Sequence, residues 1–270
     1  MTAIRLIGVD VDGTLVGASG EVKPIIWDAA MRVRAAGIHL ALCSGRAAFG
    51  LALDYARRLD PVGWHVFQNG ASIVHLASER SLSVTIAPSI IATLIAEARR
   101  TNRILELYSD KDYVTESASS WAREHAELLG VDFRPRAYED LKDPIVRAQW
   151  VVSPVDARVV MSEAPAGLEV AESSSPIMPG ARFVGLTHAG VSKGSAMRAI
   201  ASEYAIDLEQ VMYVGDAGND LSALRVAGMP IAMGNAEATV RAASKHVVRD
   251  VEEGGLVDAF EYAIRSLSRR

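Results

Sequence analysis

The sequence predicts an α/β fold: a doubly wound, mostly parallel core with a separate α+β domain inserted into it. Three observations carry this expectation. Short apolar runs of strand length recur toward both ends of the chain and pass directly into polar turns and then helices, the pattern of buried parallel strands. Four of these junctions hold the most chemically pointed residues of the chain. Between residues 81 and 184 the pattern changes, and strands and helices mix without acidic strand ends. The core is therefore assigned to 1–80 and 185–270, and the inserted domain to 81–184.

The first strand lies in residues 6–15, LIGVDVDGTL. An apolar run broken only by Arg5, Gly8 and Asp10 delivers two carboxylates, Asp10 and Asp12. Residues two apart on a strand share a side. Both acids are thus expected to face one site at the carboxyl end of the sheet, where open α/β sheets bind ligands. Gly13 lets the backbone turn closely. Residues 24–36 read as a helix, with Ile25, Ile26, Ala29, Ala30 and Val33 as its apolar stripe and Gly37 as its stop. A second buried strand, 38–43, ends in Ser44-Gly45-Arg46, and 47–59 is expected to be helical. Ser44 and Gly45 then sit at a strand-to-helix turn, where free N–H groups and the helix dipole favour an anion. A third strand, 64–68, leads through Asn69-Gly70, a hairpin-turn dipeptide, into a strand over 72–76.

In the insert, 83–87 is strand-like and 88–100 an amphipathic helix. Residues 104–108 and 113–116 form a hairpin, and 119–129 a helix stopped by Gly130. Strand 145–152, helix 155–163 and strands 168–171 and 183–186 follow, with the Ser/Pro/Gly-rich stretch 173–180 as a loop. The core resumes with a helix over 192–204 capped by Ser192, then strand 211–214 ending in Gly215-Asp216-Ala217-Gly218-Asn219-Asp220. Helix 221–227, strand 231–233, helix 236–243, strand 246–248 and helix 256–267 complete it, and the tail Ser268-Arg269-Arg270 reads as a solvated helix end.

Packed in one sheet, these junctions bring together Asp10 and Asp12, Ser44, Lys193, and Asp216 with Asn219 and Asp220. Four carboxylates do not stay ionised together without a cation. Oxygen donors select a hard ion, and Mg²⁺ typically takes one or two protein carboxylates with waters and phosphate oxygens. With Mg²⁺, Lys193 and one proton on Asp12 the site becomes neutral, and a phosphate dianion can enter. Without the metal the anion meets net negative charge, at roughly 1–4 kcal/mol per charge pair. Read singly, Ser44 is also a helix cap, Lys193 a solvated helix residue, and Asp220 a helix N-terminal acid favoured by the dipole. Arg46 and Asn69 divide between ligand contact and local structure, and Asn235 reads as a turn residue.

Together the motifs carry a resemblance. DVDGT at 10–14, Ser44, Lys193 in GVSKG and GDAGND at 215–220 resemble, in order and separation, the four motifs of the haloacid dehalogenase (HAD) superfamily, whose core is Rossmann-like. The insert resembles the large α/β (type 2) cap of the Cof-type phosphatases, and SGR at 44–46, NGA at 69–71 and MGNA at 233–236 are similar to that subfamily. The resemblance implies Asp10 as nucleophile and Asp12 as general acid, then base. It implies Mg²⁺ held by Asp10, the Asp12 main-chain carbonyl and Asp216, with Asp220 acting through a metal-bound water or by orienting Lys193. Ser44, Gly45, Arg46, Asn69, Lys193 and Asn219 would bind the phosphate or substrate, Thr14 would shape the turn, and the cap would hinge over the site. The implied activity is hydrolysis of a small phosphomonoester, sugar phosphates first, through an aspartyl-phosphate. A phosphosugar mutase and a non-catalytic metabolite-binding protein are the alternatives; the presence of Asp10, Asp12 and Asp216 stands against the second.

Composition bounds the rest. Net charge is -5 with no dense Lys/Arg run, which argues against a nucleic-acid or anionic-membrane partner. Cys43 is the single cysteine, so no intrachain disulfide forms, and its apolar setting marks it as a small buried hydrophobe. There is no signal-peptide pattern and no run near the roughly 18 apolar residues of a membrane span, so a soluble cytoplasmic protein is expected. The sequence carries no signature of an oligomeric state.

Overall fold

The computed structural model describes residues 2–268; Arg269 and Arg270, part of the expected solvated helix end, lie outside the described residues. In chain order the elements begin β1 (Leu6–Asp10), α1 (Pro24–Ala35), β2 (His39–Cys43), α2 (Leu51–Leu59), β3 (Trp64–Phe67), β4 (Ser72–His75) and α3 (Pro88–Thr101). They continue with β5 (Ile104–Tyr108), β6 (Tyr113–Val114), α4 (Ser120–Leu129), β7 (Arg147–Val152), α5 (Pro154–Ser162), β8 (Leu168–Ser175) and β9 (Met178–His188). The last are α6 (Lys193–Glu203), β10 (Val211–Gly215), α7 (Leu221–Val226), β11 (Met229–Ala232), α8 (Ala238–Ala242), β12 (His246–Val247) and α9 (Gly255–Leu267). The chain forms two compact units, one made of residues up to Gly45, Asp54–Leu82 and everything from Ser192 onward, the other of Arg46–Leu53 with Ser83–Val191.

The first unit is built on a seven-stranded sheet in the order β12-β11-β10-β1-β2-β3-β4, parallel throughout except for the β3–β4 pair. The central strand β1 is buried along its whole length because helices cover both faces. Leu6, Ala41, Val66, Val211 and Tyr213 share one core with Met197 and Ile200 of α6, Leu224 of α7 and Val240 of α8. The alternate set, Ile7, Leu40, Leu42, Met212 and Val214, is equally buried on the side of α1 and α9, which an Arg32–Glu261 ion pair joins at 2.7 Å. The layers are those of a doubly wound α/β core, as expected.

The second unit carries a five-stranded antiparallel sheet, β6-β5-β7-β9-β8. Leu105, Leu107, Ala148, Trp150, Val184 and Leu186 pack with α3 and α5, while Ile104, Val151 and Phe183 pack with α4. Ser119 and Ser153 cap α4 and α5 through their hydroxyls, and Gly130 in the left-handed region ends α4. On the α4 side the buried Glu106 carboxylate accepts from the Tyr108 hydroxyl at 2.6 Å and the Gln149 amide at 3.1 Å, and pairs with His125 Nδ1 at 2.9 Å.

Several local expectations are corrected. β1 stops at Asp10, so Asp12 is not on the strand. The expected helix from residue 47 begins at Leu51, because Gly50 adopts a left-handed φ of 59° that breaks the helical path. Residues 83–87 form no strand; the segment is tied to the second unit by the Ile86 N–H to Ile145 carbonyl bond. Asn69-Gly70 does lie in a β hairpin, but the connection spans residues 68–71 as a 3₁₀ turn, with Gln68 and Asn69 both left-handed. The 173–180 stretch is not a loop: β8 and β9 run through it to a tight turn, with Ser175 opposite Met178. β8 is an edge strand largely exposed to solvent, which lets a serine run stand where a buried strand would need apolar residues.

His65 on β3 shows how β2 and β3 are held where their ladder is short. Its Nδ1 accepts from the Leu42 N–H at 3.0 Å, so Nε2 carries the proton and donates to the Asp60 carbonyl at 2.7 Å. Burial lowers its pKa from 6.5 to about 4. A folded value below the unfolded one means that stability is complete above pH 6.5 and is lost as pH falls toward 4. The loss is expected to be on the order of 3 kcal/mol. Urea denaturation from neutral pH down to about pH 4 checks it: His65→Phe is expected to be less stable at neutral pH and to show a flatter acid dependence than the wild type.

Candidate active site

The site is assembled by strand register. Asp10 is level with Cys43 on β2, and Val9 with Val214 on β10, so the chain leaving β1 is flanked by Ser44 on one side and Asp216 on the other. Past Asp10 the Val11 carbonyl accepts the N–H groups of Thr14, Leu15 and Val16 at 3.3, 2.9 and 2.8 Å, and the strand becomes a tight turn. Gly13 sits in this turn at φ 85°, and a Cβ there would overlap the Asp216 carboxylate. Thr14 Oγ1 donates to Asp216 Oδ1 at 3.1 Å, joining the first and last motifs. Asp10 is buried, whereas Asp12 is exposed on the turn and outside the carboxylate cluster. Strand pairing ends at Asp10, two residues before Asp12, so strand alternation does not by itself set the direction of the Asp12 side chain.

Lys193 is the first residue of α6, fixed there by a capping box between Ser192 and Ser195. The residue is 1% exposed. Its Nζ donates to Asp10 Oδ1 and, at 2.7 Å, to Asp220 Oδ1. Asp220 is also completely buried: Oδ1 accepts from the Tyr213 hydroxyl at 2.7 Å, and Oδ2 from the N–H groups of Asp216 and Ala217 at 3.0 and 3.1 Å.

One oxygen from each of Asp10, Asp216 and Asp220 lies within 4.8 Å of the others. Burial, and next to it the neighbouring carboxylates working against Lys193, raises Asp10 from 3.8 to about 8. Burial and the Asp220 charge raise Asp216 from 3.8 to about 6. Burial alone would lower Lys193, but Asp10 and Asp220 outweigh it and hold the ammonium above its ordinary range. The cluster is therefore short of positive charge, and its hard oxygen donors suit a divalent cation of the Mg²⁺ type. Cys43, next to this cluster, is buried with its thiol pushed up by burial, and acts as the expected small hydrophobe.

The remaining predicted residues fall in two groups. Ser44 is buried at the end of β2, its carbonyl accepting from the Asn69 N–H at 2.9 Å. Asn219 Nδ2 donates to Asn69 Oδ1 at 3.1 Å, and a Cβ on Gly45 would meet the Asn69 amide. Ser44, Gly45, Asn69 and Asn219 are thus joined in one patch. Arg46, in contrast, opens the segment 46–53 that belongs to the second unit. Sequence reasoning missed Tyr213, which reads as one more apolar residue of a buried strand. It undervalued Asn235, whose amide donates to the Gly13 carbonyl at 2.8 Å and accepts from the Val251 N–H at 3.0 Å. The MGNA motif was the available signal for Asn235; nothing marked Tyr213.

The profile of the haloacid dehalogenase-like hydrolases matches residues 7–260. The chain belongs to this family. Two Bacillus subtilis proteins are similar along nearly their whole length. The 5-amino-6-(5-phospho-D-ribitylamino)uracil phosphatase YwtE is 25% identical over 282 residues, covering 94% of this chain and 96% of its own. Phosphatase YwpJ is 25% identical over 300 residues, covering 97% and 100%. The crystal structure of a haloacid dehalogenase-like hydrolase from Bacteroides thetaiotaomicron superposes with a TM-score of 0.82 at 25% identity, covering 96% of this chain and 99% of that one. Among the described residues of this hydrolase no helix is long and apolar enough to cross a membrane.

The raised acids give a stability signature. Both folded values exceed the unfolded 3.8, so the stability due to their bound protons is present below about pH 4 and lost as pH rises through about 6 and then about 8. In the presence of EDTA the melting temperature is expected to fall between about pH 5 and pH 8. Asp10→Asn should flatten that fall and melt higher at pH 8, on the order of 5 °C above the wild type. Parallel slopes for the two proteins in differential scanning fluorimetry would count against this picture.

Proposed function

We propose that the protein is a Mg²⁺-dependent phosphatase that hydrolyses a small phosphorylated metabolite through an aspartyl-phosphate on Asp10. The observation that carries the reading is the buried Lys193 ammonium bonded to Asp10 and Asp220 within a cluster of three carboxylates. Phosphoryl transfer asks a protein mainly for alignment and for positive charge around the phosphoryl oxygens. Lys193 would supply one fixed charge and Ser44 a hydroxyl at the adjacent strand end. The Asn69–Asn219 pair would add amide donors beside them.

Asp10 would attack phosphorus with one carboxylate oxygen while the ester oxygen leaves with a proton from Asp12. Asp12 would then take a proton from water, and that water would attack the phosphorus and return Asp10 as free carboxylate with orthophosphate. Splitting the displacement in two lowers each barrier. The exposure of Asp12 supports its part, since an acid on the solvent side of a buried nucleophile can meet both the leaving group and the incoming water. Asp10, Asp216 and the Asp12 main-chain carbonyl would hold Mg²⁺, which when bound supplies the positive charge that keeps the carboxylates ionised and a phosphoryl oxygen aligned. Both oxygens of Asp220 are already engaged, so its part would be to anchor Lys193. The second unit is proposed as the substrate-selecting cap. The names of YwtE and YwpJ support a phosphate ester as substrate, and a phosphorylated polyol or sugar is the class to try first.

The test is orthophosphate release from a panel of phosphorylated sugars, polyols and p-nitrophenyl phosphate, with Mg²⁺ or EDTA. Turnover is expected with Mg²⁺ and not with EDTA, and Asp10→Asn is expected to lose at least about 10³-fold in kcat. Full turnover in EDTA would remove the metal from the mechanism. An isomerised phosphosugar without orthophosphate would replace hydrolysis by mutase chemistry.

A further inference from the structure

We propose that Tyr213 is a positioning residue of the active site: its phenol fixes the Asp220 carboxylate and thereby the Lys193 ammonium. Tyr213 lies inside β10, completely buried, and touches neither Asp10 nor the exposed end of the site through its hydrogen bond. Its hydroxyl donates to Asp220 Oδ1 at 2.7 Å, the same oxygen that accepts from Lys193 Nζ at 2.7 Å. With two main-chain N–H groups on Oδ2, the carboxylate has four donors and no lone pair to spare. It can neither turn nor take another partner without giving one up.

One chain position is shaped for this arrangement. Gly8 on β1 is the register partner of Tyr213. A Cβ on Gly8 would come 2.6 Å from Tyr213 Cδ2 and 2.9 Å from Met197 Sδ, so the ring lies across the space a side chain would fill. A buried tyrosine hydroxyl usually finds an acceptor. Here the acceptor is the carboxylate that holds the site's lysine, and main-chain donors already account for its other oxygen. Take the phenol away and Oδ1 keeps a single partner. Lys193 is then pulled toward Asp220, and its charge is withheld from the phosphoryl group in the transition state.

Tyr213→Phe keeps the ring in its slot and removes only the hydroxyl. The kinetic arm rests on the phosphatase reading. There, kcat is expected to fall about tenfold or more with KM changed less than about threefold, at a melting temperature close to wild type. Wild-type kcat in Tyr213→Phe overturns the proposal, and so does a loss that only follows the folded fraction. The second arm needs no turnover. The buried phenol proton should give a slowly exchanging downfield ¹H resonance, absent in Tyr213→Phe and displaced in Lys193→Met. A resonance that Lys193→Met leaves in place overturns the proposal, whether or not any phosphate ester is turned over.

Discussion

At the centre of the first unit one ammonium group is held out of water. Lys193 has no solvent to balance its charge, so Asp10 and Asp220 must do it, and they are buried with it. Such groups cost several kcal/mol each to desolvate. For Asp10, a rise from 3.8 to about 8 corresponds to on the order of 6 kcal/mol. The strand that bears it contributes Leu6, Ile7 and Val9, all completely buried and each stabilising by roughly 1.5–3 kcal/mol. The central position of β1 is thus a condition of the site. On an edge strand the same carboxylate would be solvated, its lysine would wander, and the charge shortage that invites a cation would be relieved by water.

The fold was legible because its signals are periodic. Buried parallel strands read as unbroken apolar runs, and in β1, β2 and β10 those runs stop at Asp10, Ser44 and Asp216, where register later brings them level. What was illegible depended on single backbone torsions or on pairs distant in sequence. Whether Asp12 belongs to the strand is decided by the hydrogen bonds of the Val11 carbonyl. The left-handed Gly50 sets where α2 begins, in a stretch whose composition favours helix. The serines of β8 look like a loop because their exposure, which makes them tolerable, is a property of the sheet edge and is not written in the segment.

Site residues divide in the same way. Asp10 and Asp216 stand where apolar runs end, and Lys193 and Asp220 stand in the family's motifs, so all four draw attention to themselves. Tyr213 continues such a pattern, and only its pairing with Gly8 and the direction of its hydroxyl separate it from a core aromatic. Asn235 sits in a turn-like sequence, and its contact with Gly13 spans 222 residues. Supporting residues are hard to read from sequence because they act on other side chains, while the residues they support carry the visible chemistry. The second unit makes the point in reverse: Glu106 looks out of keeping in a strand, yet it is buried with donors from Tyr108 and Gln149 and belongs to that unit's own core.

The ion pair between Lys193 and Asp10 joins residues 183 apart, with the whole second unit between them. Synthesis is directional. At a typical 5–20 residues per second, about 10–40 s pass between the emergence of β1 and that of its counter-charge. Through that interval Asp10 belongs to a strand with no partner on the β10 side and no lysine, so the nascent core cannot close around it. The inserted unit has its own sheet and its own core, and can begin to fold in that interval. The order in which the ribosome delivers the chain thus defers completion of the charge cluster until α6 and β10 have emerged.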